Sequence, residues 1–470
     1  MSDLGPIIVW LRRDLRLTDN TMLASAAATG RPVVPVYLCD ETVETLGAAP
    51  KWRLGEGIAT FATTLEAVGS RLILRRGPAL AALQRLVVET GASAVWWGRA
   101  YDPASKQRDT TVKAALRAQG VDAQSFPGFL LHEPWQVETA QGGFYRVYTP
   151  FWNAVKGRDV GLPVARVARL RAPAVWPHSE RLMDWHLGAE MRRGAAVVAK
   201  HARVGEAAAE ARLAEFLAAG IAGYRDGRDV PGRSGTSRLS ENFALGEISV
   251  RTVWHAGMRA LQDGSSGAET FLKELVWREF AWALMYHTPH IETRSWREDW
   301  QDFPWQGESD AAERWRRGMT GEPMVDAAMR ELYVTGTMHN RARMIAASYL
   351  TKHLLTDWRI GQHWFAECLI DWDPAANAMG WQWVAGCGPD AAPYFRVFNP
   401  ATQAERYDAD RVYRRRFLAG PGCGAEALDF FRAVPVSWQL DPGAPYPAFV
   451  VGLAEGRARA LAAYGGRRPL

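Results

Sequence analysis

The first hundred residues alternate short apolar runs with helix-patterned stretches, and few folds can absorb that alternation. The runs are Ile7–Leu11, Pro32–Leu38, Arg71–Leu74 and Ala94–Trp97, with Ala- and Leu-rich stretches such as Arg53–Leu72 and Ala79–Thr90 between them. Strands that alternate with helices pair side by side into a parallel sheet covered by those helices. No G-x-G-x-x-G follows the first run, so the Rossmann-like topology carries no dinucleotide fingerprint and implies no bound nucleotide by itself. From about Phe126 to Val204 the periodicity fades among Pro127, Pro134, Pro150, Pro163, Pro173 and Pro177, which reads as a long connector. Beyond about Gly205 the pattern is helical, with no convincing strand. A chain of 470 residues is too long for one ordinary core. The expectation is an α/β domain with a parallel Rossmann-like sheet over residues 1–130, a connector over 131–204 and an all-α domain over 205–470.

Charged residues of both signs leave a formal charge of +5, which permits a polyanionic partner without requiring one. No run of 18 apolar residues exists to form a membrane-spanning helix, and the N-terminus lacks the pattern of a secretory signal. Cys39, Cys368, Cys387 and Cys423 are spaced unlike zinc or ferredoxin ligands; they read as reduced thiols of a cytoplasmic protein, with no metal. Tryptophan, with 21 copies, is concentrated between Trp254 and Trp383, which raises redox or stacking roles beside ordinary packing.

Four segments carry chemistry-bearing residue types. Gly232–Ser240 offers glycines, hydroxyls and turn N–H groups that suit an anion, or forms an ordinary capped loop. In Phe271–Phe280, Glu274, Trp277 and Arg278 share a helical face at i, i+3 and i+4: a set suited to a nucleobase, or a surface Glu274–Arg278 ion pair. In Met338–Met344, Asn340, Arg343 and Met344 share a face, with Met344 readable as core. In Asp371–Trp383, Asp373 before Pro374 reads as an N-cap, with Asn377 and Trp381 one turn apart.

Together with Trp10-Leu-Arg-Arg-Asp-Leu-Arg-Leu-Thr-Asp-Asn20, Tyr145-Arg-Val-Tyr-Thr-Pro-Phe-Trp152, Gly380-Trp-Gln-Trp383 and Asp390-Ala-Ala-Pro-Tyr-Phe-Arg-Val-Phe-Asn-Pro400, the order of these segments resembles the photolyase/cryptochrome family almost end to end. It is most similar to bacterial cyclobutane-dimer photolyases, in the subgroup nearest plant cryptochromes. The resemblance implies FAD, active in its reduced anionic form, folded into the helical domain. Its phosphates would meet Tyr224 and the loop Thr236, Ser237, Arg238, Leu239 and Ser240, with Phe271 facing the cofactor. Arg278, Asn340, Arg343, Asp371 and Asp373 would surround its rings, Arg343 and Asp371 as an ion pair, and Asn377 would face the flavin N5. Asn377 differs from the Asp of plant cryptochromes and the Cys of many animal ones, which favours repair over signalling.

The implied partner is UV-damaged DNA and the implied activity is light-driven splitting of cyclobutane pyrimidine dimers by a monomeric, cytoplasmic enzyme. Glu274 would assist the chemistry with Asn377. Trp277 and Trp383 would wall the lesion pocket with Met344 beneath, and Arg228, Asn340, Arg341, Arg396 and Gln403 would contact backbone or lesion edges. Met344 stands near where photolyases for the (6-4) lesion carry a histidine. Trp381, Trp358 and Trp305 match the family's electron relay by motif. The antenna is the least determined feature. Tyr101-Asp-Pro-Ala-Ser105-Lys106 lacks an acidic residue found in one folate-binding subgroup, while methenyltetrahydrofolate bound in the cryptochrome-like manner stays open. The alternative function is a blue-light receptor of the cryptochrome type without repair activity.

Overall fold

The computed structural model describes residues 5–394 and 396–466. Five parallel strands form one sheet in the order β3-β2-β1-β4-β5: β1 Ile7–Leu11, β2 Val33–Cys39, β3 Ile73–Arg76, β4 Ala94–Gly98 and β5 Asp122–Phe126. Central β1 pairs Ile7 with Val33 on one side and with Ala94 on the other. Every residue of β1 and β2 is buried, as expected where helices cover both faces. The four apolar runs are therefore strands, the third displaced by two residues. The fifth strand has no such run. At the sheet edge only Ala123 of its five residues is buried, so Asp-Ala-Gln-Ser-Phe carries little hydrophobic signal.

The connector is more ordered than its prolines suggest. The helix Tyr148–Val155 lies within it and buries Tyr148, Phe151, Trp152 and Val155 at i, i+3, i+4 and i+7. Pro150 falls in the first turn, where its missing N–H has no intrahelical partner to lose. The stretch that follows wraps the α/β domain: Arg171 O accepts from Val33 N at 2.8 Å, and Glu180 N donates to Leu74 O at 3.0 Å.

Beyond Gly205 the described residues are helical, apart from an isolated bridge between Gln306 and Thr356. The 20-residue helix Ala268–His287 lies at the centre, with twelve of its residues buried. It packs on Pro374–Ala385, which in turn meets Asn340–Ser348 and Trp358–Cys368.

The segment Trp10–Asn20 is the seam between the domains. Leu17 and Thr18 donate their N–H groups to the Glu206 carboxylate at 3.0 and 2.7 Å. The buried Arg16 guanidinium reaches Gly246 O at 2.9 Å. Gly246 has φ +64°, and a Cβ there would stand 2.0 Å from Arg13 O, so both conformation and proximity require glycine. Deeper in the seam, Arg53 of the helix Ala48–Glu66 forms a bidentate pair with Glu247 at 2.9 and 2.5 Å, both side chains essentially inaccessible. Removing one partner of such a pair strands the other's charge. Arg53→Met is expected to cost about 3–5 kcal/mol, read as a lowered denaturation midpoint; a loss under 1 kcal/mol would mean that water reaches Glu247.

Candidate functional site

The three central helices are mostly buried, yet each turns polar residues toward unfilled space. Asn340 is exposed, and Glu274, Trp277, Arg343, Met344 and Asn377 are partly so. Gly380 follows Asn377 by three residues on the same helix, and a Cβ there would meet nothing within 4 Å. The Gly232–Ser240 loop precedes these helices in the chain and folds back on Gly227, whose O would stand 2.7 Å from a Cβ on Gly235.

The loop is a set of unused donors. Among the described residues, the hydroxyls of Thr236, Ser237 and Ser240 bond no protein group, and no backbone N–H from Gly235 to Ser240 has a protein acceptor. Tyr224 buries its ring against Phe216 and Phe271, with centroids at 5.5 and 5.7 Å, and its hydroxyl likewise bonds no protein atom. Convergent unpaired donors of this kind suit phosphate oxygens. Arg238 holds the loop's bend at φ +51°, a conformation uncommon for a side chain with a Cβ. Its carbonyl is pinned by Arg212 Nη1 at 2.6 Å. Arg212 is buried, and its guanidinium also binds Asn242 Oδ1 at 3.0 Å and Glu241 at 3.1 Å. Asn242 and Glu241 in turn bond Glu247 and Arg203 N. The loop is thus joined through buried polar groups to the Arg53–Glu247 pair of the seam.

Arg343 grips both oxygens of buried Asp371 at 2.9 and 2.7 Å and donates Nε to Met338 O at 2.8 Å. Asn377 donates its amide to Gln362 O at 3.0 Å, and its Oδ1 has no partner among the described residues. Asp373 caps its helix as expected, accepting from Ala376 N at 2.9 Å, while its other oxygen takes the Trp282 N–H at 3.0 Å; both oxygens are engaged within the protein. Arg278 does not pair with Glu274. It donates to Phe129 O at 3.0 Å and to Glu279 at 3.1 Å, and its buried Nε has no partner. Burial outweighs the pull of Arg278 and lifts the Glu279 carboxyl to about 7.

Hydroxyls and N–H groups for two phosphates, an ion pair and a neutral amide for a polar ring system, and a helix face without side chains at Gly380 form a donor set that fits FAD. The C-terminal part, residues 271–466, matches the family model "FAD binding domain of DNA photolyase", and residues 7–168 match "DNA photolyase". A deoxyribodipyrimidine photo-lyase of Agrobacterium fabrum is 43% identical across 98% of both chains.

The chain belongs to the photolyase/cryptochrome family.

The crystal structure of a class III photolyase from Agrobacterium tumefaciens superposes with a TM-score of 0.91 at 43% identity, covering 99% of this chain and 98% of that one. Cryptochrome-2 of Arabidopsis thaliana is 34% identical over 88% of this chain and 70% of its own length.

The residues expected at the lesion fall into two groups. In the first, Glu274 is ion-paired with Arg228. Trp277 lies flat on Tyr148, with centroids 3.7 Å apart and planes 5° apart, and the Tyr148 hydroxyl donates to Lys273 O at 2.7 Å. In the second, Arg341 pairs with Asp229 at 2.8 Å and lies 4.5 Å over the Tyr407 ring. Gln403 is one turn before Tyr407, its Oε1 buried without a donor, and Met344 Sδ lies 4.0 Å from the Asn340 amide. Trp383 packs with the far helical core rather than with Trp277. Arg396 is exposed, and its carbonyl is held at 3.0 Å by Lys352, a buried ammonium that desolvation brings down to about 8.

Of the motif-matched tryptophans, Trp381 and Trp358 are buried. Trp381 meets Phe365 at 4.9 Å and Trp315 at 6.1 Å edge-on. Trp305 joins Phe303 and Trp300. All three indole N–H groups are buried without an acceptor.

A cavity of about 300 Å³ opens where the C-terminal ends of β1 and β4 meet the helical domain. This is the switch point of the strand order, where ligands of such sheets sit. Tyr37, Asp40, Tyr101, Arg108, Trp282 and Glu292 are among its lining. Burial, aided by Asp102 and Asp373, raises Glu292 to about 7. Lys106 turns away and lies 3.5 Å over Tyr286.

Arg212, Tyr148 and Asp229 were not singled out from the sequence. Arg212 left a signal: with Ala209, Leu213 and Phe216 it occupies the buried face of Glu206–Ala219, an odd place for a lone cation. Arg212→Met should speed FAD release roughly tenfold or more, since a charge-assisted hydrogen bond contributes about 1.5–3 kcal/mol. Fluorescence of flavin escaping the purified protein measures this; an unchanged rate would show that Arg238 keeps its bend unaided.

Proposed function

We propose that this chain is a DNA photolyase that splits cyclobutane pyrimidine dimers in UV-damaged DNA under light. Asn377 carries the choice of repair over signalling: its amide is fixed by Gln362 and adds no charge against an anionic ring. Bound FAD, in its reduced anionic form, supplies light excitation and the electron that the dimer borrows and returns.

The protein's own groups do the rest. Tyr224 and the Thr236–Ser240 donors hold the phosphates, with Phe271 packed behind them. Asn340, Arg343 with Asp371, Asp373 and Arg278 frame the rings, and Asn377 presents its amide to the flavin N5. Photolyases are among the enzymes that take a base out of the stack, and unpairing costs least at damage. The flipped dimer would lie against Trp277, which Tyr148 keeps from tilting, with Trp383 opposite and Met344 beneath. Glu274 would accept hydrogen bonds from the imide N–H groups of the dimer and so hold it in one pose against the flavin. Arg228, Arg341, Arg396 and Gln403 would meet the backbone or the lesion edges. Met344 in place of a histidine supports the cyclobutane lesion over the (6-4) one. The cavity at the sheet's switch point is the place for an antenna chromophore, with methenyltetrahydrofolate as the candidate. The enzyme is taken to act as a cytoplasmic monomer.

A dimer-containing oligonucleotide should be restored by the reduced protein in blue light and not in the dark; a cryptochrome-type receptor would restore none. Glu274→Ala should lower the yield per absorbed photon about tenfold or more, as expected when the reacting group is no longer held in register, with little loss of lesion binding. Collapse of binding at normal yield would make Glu274 a docking residue.

The tryptophans serve a separate process. Indole rings at 381, 358 and 305 would carry electrons inward to reduce oxidised flavin when an external donor is present, while repair needs no relay. Trp358→Phe should slow light-driven bleaching of the yellow protein and spare repair by chemically reduced enzyme. Loss of that repair would assign Trp358 a structural role.

A further inference from the structure

Two of the arginines expected at the DNA are already occupied. Arg228 is held by Glu274, and Arg341 by Asp229 at 2.8 Å. Asp229 adjoins Arg228 in sequence, so the rim alternates two cations with two carboxylates. Nearby, Arg233, Arg238 and Arg411 are exposed and have no carboxylate partner among the described residues. Val412 packs within 3.2 Å of where a Cβ on Gly232 would stand, which places Arg411 beside the loop bearing Arg233 and Arg238. The same mouth therefore holds free cations and caged ones.

We propose that Arg228 and Glu274 form an exchange pair: a dimer entering the pocket takes Glu274, and Arg228 is thereby released to a phosphate beside the lesion. The inference rests on the repair reading above and adds how damaged DNA is told from intact DNA. An ionised carboxylate only accepts hydrogen bonds. The imide N–H groups of a flipped thymine dimer can replace the guanidinium as donors to Glu274. Intact duplex presents no base there. Its phosphate could take Arg228 only by leaving Glu274 unpaired beside another anion. The pair is open to this exchange because its side chains are 19% and 31% exposed, and ion pairs near water hold weakly. Intact DNA is then gripped by the free arginines alone, and a lesion adds one phosphate contact conditional on its own recognition.

The test is dark binding of a short duplex, with or without one thymine dimer, across a salt series. Flavin absorbance confirms that each variant is folded. Arg228→Ala should weaken the lesion duplex about tenfold and reduce its log–log salt slope by about 0.9, one phosphate's worth, with intact duplex changed less than about twofold. Arg228→Lys should keep the slope. Glu274→Gln should tighten intact duplex roughly threefold and steepen its slope by about 0.9. In that background Arg228→Ala should weaken both duplexes. Equal weakening of both duplexes by Arg228→Ala in the otherwise unaltered protein would overturn the exchange, as would intact-duplex binding indifferent to Glu274→Gln. A wild-type protein with no preference for the lesion duplex would instead sink the repair reading itself.

Discussion

The fold depends on a buried ionic seam. Arg53 and Glu247 face each other with no water to replace either, so the two domains have one register in which neither charge is stranded. From that pair the contacts run through Asn242 and Arg212 to the carbonyl of Arg238. A hydrophobic interface would tolerate sliding by a fraction of an ångström, but these directional bonds do not. The Gly232–Ser240 loop is therefore placed by the α/β domain, although every residue expected to touch the cofactor lies in the helical one.

The sequence was legible where burial is two-sided and local. β1 and β2 were plain because both faces are covered, whereas β5 was not, since an edge strand buries little. Tyr148–Val155 carried helical spacing in full view, obscured by a proline that its first turn accommodates. At the site, Asp373 caps where its spacing with Pro374 said it would. Partner choice was not legible. Spacing offered Arg278 to Glu274, but Arg278 meets Glu279 and Phe129, while Glu274 pairs with Arg228, 46 positions away. Periodicity describes one element at a time, and these pairings form between elements.

The site separates its charges by task. Arg343 with Asp371 and Arg53 with Glu247 have buried carboxylates and multiple hydrogen bonds, and they hold shape. Arg228 with Glu274 and Arg341 with Asp229 are partly open to water. Lys352 has no carboxylate partner among the described residues and holds a single carbonyl, that of Arg396.

The three indoles whose N–H groups face no acceptor carry one more consequence. An electron vacancy on such a ring raises the acidity of its nitrogen, and no protein oxygen or base among the described residues accepts from it. In the proposed relay a vacancy that keeps its proton stays a cation, which the next ring can refill without heavy atoms moving. A carboxylate or histidine set against any of these nitrogens would let the proton leave and would leave behind a neutral radical, turning a conductor into a trap.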